Sequence, residues 1–326
     1  MKVFTRDHRI TGDYHPLWDE YFGGMKPCVF DIETTGLSSA GCRVILTGML
    51  TYTDKGVRIT QFLAENHYEE SKVLDATMDF MEKEGIGYLI TFNGQSFDVP
   101  FMNDRLAANF SDRSLCLYDF DLYRFLRQAT DLKTRIGSLS QKSVENYYGI
   151  LDDRGDTITG RESVIMFDQY ALSGNSTLEK IILTHNREDV LHLNRLMYLA
   201  LADVEDVHCA LAKYGFPALD GRLSVRPKLM SRSCRLRITG SQNLEPVSCA
   251  YFPDADSPLT VSFNALSSSY EIDVPAGRLD DQYYIDAESL GFDLSDDPMC
   301  ENGYLILDSR TINLISRLLA ERYAEL

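Results

Sequence analysis

Two carboxylates, Asp31 and Glu33, stand two residues apart in DIETTG, directly after the apolar run PCVF. Side chains two apart on a strand leave the same face, so at a strand end both would enter one volume. Like charges held together are costly unless a cation lies between them. A divalent metal answers that need, and oxygen ligands suit magnesium or manganese. The plain alternative is a solvated strand end followed by turn residues. In LITFNGQSFDVPFM, Asp98 is either a third such carboxylate at a sheet edge or a helix cap, with Phe97, Pro100 and Phe101 in the core. In LTHNREDVLHLNRL, residues 183–196, His185 precedes Asp189 by four positions at what reads as the start of a helix. That spacing shares a helix face. A histidine titrating near neutrality there could orient or deprotonate a water held at Asp189, or it could simply face solvent. His192 and His208 lack such neighbours and read as structural or surface residues.

The elements that must position these groups are legible as patterns. Residues 27–33 read as a buried strand with its carboxylates at the C-terminal end, and RVILTGMLTY and VRITQFL as two further strands joined by the turn TDKG. YEESKVLDATMDFMEKEG has helical spacing and a glycine stop, YLITFNG is a strand, FDVPFMNDRLAANF opens a helix, and SLCLYDF completes the strand set. From there the chain reads as mostly helical to about residue 213. Hairpin-linked strands followed by strand-helix alternation imply a mixed sheet with helices on its faces, with ligands at the carboxyl ends of the strands. Residues 221–326 differ. SRSCRLRITG, PLTVSFNAL, SYEIDVP, QYYIDA and GYLILD are strand-like. SRTINLISRLLAERYAEL is an amphipathic helix with Ile312, Ile315, Leu318 and Leu319 on one side and Ser309 as its expected N-cap. The expected domains are 1–214, an α/β unit, and 215–326, a smaller β-rich unit closed by a helix.

Composition narrows the function classes. A chain of 326 residues with 44% hydrophobic and 25% charged residues can bury a sizeable core. The N-terminal stretch interleaves charge with apolar residues and does not read as a targeting signal, and no run approaches a membrane span. The seven cysteines form no close pair, which points away from disulfides and cysteine zinc sites and toward a cytoplasmic home. A net charge of −17 opposes broad binding to phosphate backbones. The charge is uneven, however: Arg222, Arg226, Lys228, Arg232, Arg235 and Arg237 occur without an acidic residue between them, whereas residues 251–301 carry twelve carboxylates against Arg278. The basic run is either a nucleic-acid track or a solvated strand face. GxxxxGK[ST], HExxH and GxSxG are absent.

Taken in order, DIETTG, NGQSFDVPF and HNREDV resemble the three exonuclease motifs of the DEDD (DnaQ-like) 3′-to-5′ exonuclease superfamily, which has the ribonuclease H-like fold. The tail GRESVIMFDQYALSGNSTLEKIILTHNREDVLHLNRL is most similar to its YprB-type branch. The resemblance covers roughly residues 27–200. It implies that Asp31, Glu33, Asp98 and Asp189 hold two divalent cations, Mg2+ or Mn2+, about 4 Å apart, one activating the attacking water and the other stabilising the leaving 3′-oxygen. It also implies that Thr34, Thr35, Gly36 and Leu37 meet the terminal nucleotide, with Asn93 and Phe97 lining the same cleft. One branch has a histidine base five residues before the last aspartate, where this chain has Thr184; another has a tyrosine four before, where this chain has His185.

The expectation is a metal-dependent 3′-to-5′ exonuclease hydrolysing phosphodiester bonds of single-stranded DNA or RNA. Its partner would be nucleic acid, as single strands or 3′ ends, and not a membrane, and the C-terminal domain could recruit a protein. The rivals are a structure-selective endonuclease on the same fold and an inactive nucleic-acid-binding or protein-interaction module.

Overall fold

The computed structural model describes residues 1–9, 17–155, 158–252, 259–290, 294 and 298–325. Its contacts divide the chain into two compact units, one of Met1–Pro16 with Gly24–Asp203 and one of Leu17–Gly23 with Val204–Leu326. After the first strand, β1 (Lys2–His8), the short helix α1 (Leu17–Phe22) belongs to the second unit. Punctuation in the sequence suggested a boundary near residue 214, whereas the contacts begin the second unit at Val204.

The first unit continues with β2 (Lys26–Thr34), β3 (Val44–Thr53), β4 (Gly56–Leu63), α2 (Glu70–Glu84), β5 (Ile86–Thr91), α3 (Asp98–Ala108) and β6 (Tyr118–Asp121). Its six-stranded sheet has the order β1-β4-β3-β2-β5-β6. The first four strands in that order pair antiparallel, while β5 and β6 run parallel to β2. Parallel pairing brings the carboxyl ends of β2, β5 and β6 to one edge, where such sheets collect ligands. β3 is buried along most of its length, because helices cover both faces of the sheet. Thr47 reaches Thr77 of α2 on one face (2.7 Å), and the next residue, Gly48, meets a helix on the other. The sequence reading missed β1, whose charged side chains sit on an edge strand stitched to β4 along its whole length. The last sheet strand also begins at Tyr118, later than SLCLYDF suggested.

Among the described residues the α-helices that follow are α4 (Leu122–Ala129), α5 (Leu132–Ile136), α6 (Gln141–Tyr147), α7 (Gly160–Ser173) and α8 (Ser176–Ala202). The turn SGNST makes the α7–α8 hairpin. Gly174 closes α7 in the left-handed conformation (φ 64°), and the Asn175 side chain caps α8 by accepting from Thr177 N. At 27 residues α8 is roughly 40 Å long. It packs along β2, β3 and β4. His185 therefore lies well inside this helix rather than at its start, and it is buried.

The second unit holds α9 (Val207–Tyr214) and two antiparallel sheets. One contains β7 (Phe216–Ala218), β8 (Leu223–Met230), β9 (Arg235–Ser241), β10 (Cys249–Tyr251), β11 (Thr260–Asn264) and β12 (Ser269–Pro275). The other contains β13 (Gly277–Leu279), β14 (Gln282–Asp286), β15 (Cys300–Glu301) and β16 (Tyr304–Ile306). The chain ends in α10 (Ser309–Ala324), whose cap is Asp308, accepting from Thr311 N at 2.7 Å; Ser309 is its first helical residue. α1 is anchored in this unit by Tyr21. The phenol lies 2.6 Å from His208 Nδ1 and accepts from Asn313 Nδ2, and its ring meets Phe216 edge-on. Arg317 donates to the carbonyls of Glu20 and Tyr21. Asp254, Asp256, Asp293, Asp296 and Asp297 of the acidic stretch lie outside the described residues.

Among the described residues no helix is long and apolar enough to cross a membrane.

Candidate metal centre

The strand period does what the spacing of Asp31 and Glu33 requires. Both leave β2 on the face covered by α8 and line a cavity of about 400 Å³, together with His185 and Asp189 of α8. Asp98 joins them because α3 begins at that residue directly after the β5 turn, and its Oδ1 accepts from the amide of Ile32, 3.1 Å away. Asp98 is the first residue of α3 but does not cap it: the N-cap position is Phe97, and no side chain caps this helix. His185 Nε2 stands 3.7 Å from Glu33 Oε1 and 3.6 Å from Asp189 Oδ2. Ligand atoms of Glu33, His185 and Asp189 all lie within 4.8 Å of one another.

Each aspartate gives one oxygen to the protein. Asp31 Oδ2 accepts from Asn186 Nδ2 (2.8 Å), Asp98 Oδ1 from Ile32 N, and Asp189 Oδ1 from Arg154 Nη2 (2.5 Å). The Arg154 side chain is itself buried and bridges to Glu145, while Gln141 donates to Glu145 Oε1 and to the Asp189 carbonyl. A carboxylate fixed through one oxygen presents the other in a defined direction, which is the geometry an ion-binding ligand needs.

The electrostatics of the cluster are adverse for the protein alone. Burial, then the charges of Asp189, Asp98 and Glu33, pushes Asp31 well above the usual carboxylate range. Burial raises Glu33 to about 7, with His185 opposing the rise and Asp189 adding to it. Burial likewise raises Asp98 to about 7, opposed by its backbone hydrogen bonds and reinforced by Asp121 and Asp189. Four oxygen donors that repel one another, with one imidazole beside them, fit a hard divalent cation of the magnesium or manganese kind.

Several lining groups were not legible from the sequence. The N-terminal residues Ser140, Gln141 and Lys142 of the α6 region, and Thr159 and Gly160 at the start of α7, complete the cavity wall. Lys142 Nζ spends one donor on the Ile158 carbonyl at 2.9 Å. An ammonium carries three. Their only local signals are helix caps: Ser140 accepts from Ser143 N, and Thr159 forms a capping box with Glu162.

The remaining expected residues are placed as follows. Thr34 ends β2 and Thr35 to Leu37 form the turn beyond it, with Thr34 Oγ1 donating to the Gly36 carbonyl at 2.7 Å and Thr35 pairing with Arg43. A Cβ on Gly36 would lie 2.8 Å from Cys42 Sγ, and Leu37 is 88% exposed. Asn93 adopts the left-handed conformation (φ 68°), with its amide donating to Asp121. Phe97 packs partly into the core, its ring 5.4 Å from that of Phe101. None of these six residues lines the 400 Å³ cavity.

In the second unit, Arg226 donates to the Tyr214 carbonyl, and Arg235 and Arg237 both pair with Asp273; all of the basic run but the half-buried Arg235 is exposed. His192 is buried between Glu145 and Glu188.

Comparison with known proteins bears on the first unit. A family model described as RNase_H superfamily matches residues 28–201. The uncharacterized protein YprB of Bacillus subtilis (strain 168) is 28% identical over 185 residues, a match covering 56% of this chain and 44% of YprB. This chain therefore spans less than half of that relative's length. The family B DNA polymerase from the hyperthermophilic archaeon Pyrobaculum calidifontis is similar at a TM-score of 0.44 and 15% identity, over 58% of this chain and 26% of that one. The family model takes in more than half of the chain and carries the cavity carboxylates Asp31, Glu33 and Asp189 and the neighbouring Asp98 within its bounds, and the chain belongs to the RNase_H superfamily.

Proposed function

We propose that the first unit is a metal-dependent 3′-to-5′ exonuclease of the DEDD type acting on single-stranded DNA or RNA. Membership of the RNase_H superfamily supports nuclease chemistry. The observation that carries the finer reading is the meeting of Asp31, Glu33 and Asp189 with His185 around one cavity, with Asp98 braced against β2 beside them. Asp31, Glu33, Asp98 and Asp189 would hold two divalent cations, Mg2+ or Mn2+. When bound, these supply positive charge beside the scissile phosphate and acidify the nucleophilic water.

The residues of the chain do the rest. His185 Nε2 faces the cavity between Glu33 and Asp189, where it can hold the attacking water and accept its proton. Lys142, with donors to spare, and the amide end of α7 face the same space and can offset charge building on phosphate oxygens. Leu37, apolar and exposed on the turn beyond Glu33, offers a surface for a terminal base. In the second unit Arg222, Lys228 and Arg232 are exposed cations of the basic run that could follow a phosphate backbone.

The test is incubation of 3′-labelled and 5′-labelled single strands of DNA and of RNA with Mn2+, Mg2+ or EDTA, using the wild type and Asp31→Asn. Stepwise shortening from the 3′ end that needs metal and vanishes in the variant is the expected result. Internal cuts would replace this reading with an endonuclease, and binding without cleavage with an inactive module.

A further inference from the structure

The register of the central strands sets Asp31, Gly48 and Gln61 side by side across β2, β3 and β4. Residues opposite one another in antiparallel strands project from the same face, so all three lie under α8. The middle position has no side chain, and Asn186 of α8 fills the gap. A Cβ on Gly48 would lie 2.1 Å from Asn186 Oδ1 and 2.8 Å from its Nδ2. Asn186 is completely buried and Gln61 is 5% exposed.

The hydrogen bonds across this row run in one direction. Gln61 Nε2 donates to Asn186 Oδ1 at 2.7 Å and to the Leu183 carbonyl at 3.0 Å, and Asn186 Nδ2 donates to Asp31 Oδ2 at 2.8 Å. An amide side chain has one accepting end and one donating end. A donor at Gln61 turns the Asn186 oxygen toward β4 and therefore its NH2 toward Asp31. With Oδ2 held, Oδ1 of Asp31 is the oxygen left for a cation. We propose that Gln61 and Asn186 form a positioning relay that sets the orientation of Asp31 for metal binding, and that position 48 is glycine to admit it. The relay rests on the metal-site reading above. Neither Gln61 nor Gly48 lines the cavity that holds the carboxylates.

The relay makes a prediction about metal affinity that a merely structural role does not. Mn2+ binding to the full chain is measured by titration calorimetry for the wild type, Gln61→Met, Gln61→Glu and Gly48→Ala, alongside thermal unfolding in EDTA. Thr77→Val serves as the control, since it removes a buried hydrogen bond on the opposite face of the same sheet. Each relay variant should weaken Mn2+ binding roughly 10- to 100-fold, and Thr77→Val should lower the unfolding temperature while leaving Mn2+ affinity unchanged. If the Gly48 variant does not fold, the two Gln61 variants still decide the matter. Wild-type affinity in Gln61→Met, or an equal loss in Thr77→Val, overturns the relay alone. A wild type that binds no Mn2+ overturns the metal-site reading and the relay with it.

Discussion

The end of β2 and the solvent face of β9 and β12 use charge in opposite ways. At the first, Asp31, Glu33 and Asp98 are crowded by burial and by one another, so that all three hold their protons far more tightly than free carboxylates do. At the second, Arg235 and Arg237 meet Asp273, and Arg237 also lies 3.4 Å from Glu271, with the arginine side chains 34% and 44% exposed. Asp273 is buried, but it meets two arginines that keep contact with solvent, so its charge is matched within the chain. A buried set of one sign is stable only if something outside the chain completes it. The difference teaches which charges to read as chemistry: the informative ones are those the fold leaves in conflict.

Variants can press on that difference, beginning where the effect should be greatest. Asp98→Asn should lower metal-dependent cleavage roughly a thousandfold and yet raise the unfolding temperature in EDTA at pH 8, because it removes one member of a repelling set. A drop in both would show that the carboxylate is structural. His185→Ala should slow turnover roughly a hundredfold with Mn2+ affinity nearly unchanged. A parallel loss of affinity would make the imidazole a ligand rather than a base.

The pH dependence of the metal-free protein tests the conflict directly. Glu33 and Asp98 are raised from 4.5 and 3.8 to about 7, so between roughly pH 4 and pH 7 the folded state binds more protons than the unfolded one. Their contribution to stability is therefore present below that window and lost as pH rises through it. Unfolding in EDTA should move to lower temperature from pH 5 to pH 8, and Mn2+ should restore it at pH 8 far more than at pH 5. A flat profile would mean the carboxylates are not in conflict. The smallest effects belong to the second unit. Lys228→Ala and Arg232→Ala should each change stability by no more than about 0.5 kcal/mol, and any role in binding nucleic acid would appear instead as a shallower salt dependence.

Much of the site could be read from the chain because its parts are local. Asp31 and Glu33 share a strand face by period, and His185 and Asp189 share a helix face by theirs. Asp98 and its turn sit together in one stretch, with Asn93 in the left-handed conformation that asparagine tolerates. What escaped depends on pairs far apart in sequence. Nothing near Asn186 signals that it will reach Asp31 over Gly48, and nothing near Arg154 signals its ion pair with Asp189. β1 was hidden for a related reason. As an edge strand its charges face outward, so KVFTRDH carries too little apolar alternation to stand out, although Arg58 and Asp7 pair across it from β4. In the second unit β9, β11, β12, β14 and β16 were visible from their patterns, whereas the short β7, β10, β13 and β15 were not, and β8 lay inside the basic run and was masked by it.

The passage of α1 into the second unit has a consequence for how the gene can be divided. The backbone leaves the first unit twice, once between β1 and β2 and once after Asp203. Cutting the reading frame at position 203 would therefore produce two damaged pieces rather than two modules. The front piece would keep Tyr21 and Phe22 without the residues that bury Tyr21, and the rear piece would lack the ring that meets His208 and Phe216. A clean dissection excises residues 17–23 along with everything from Val204 onward and joins the flanks of that excursion with a short polar linker. By the same connectivity, shuffling the rear half between relatives should succeed only when the short N-terminal helix travels with it.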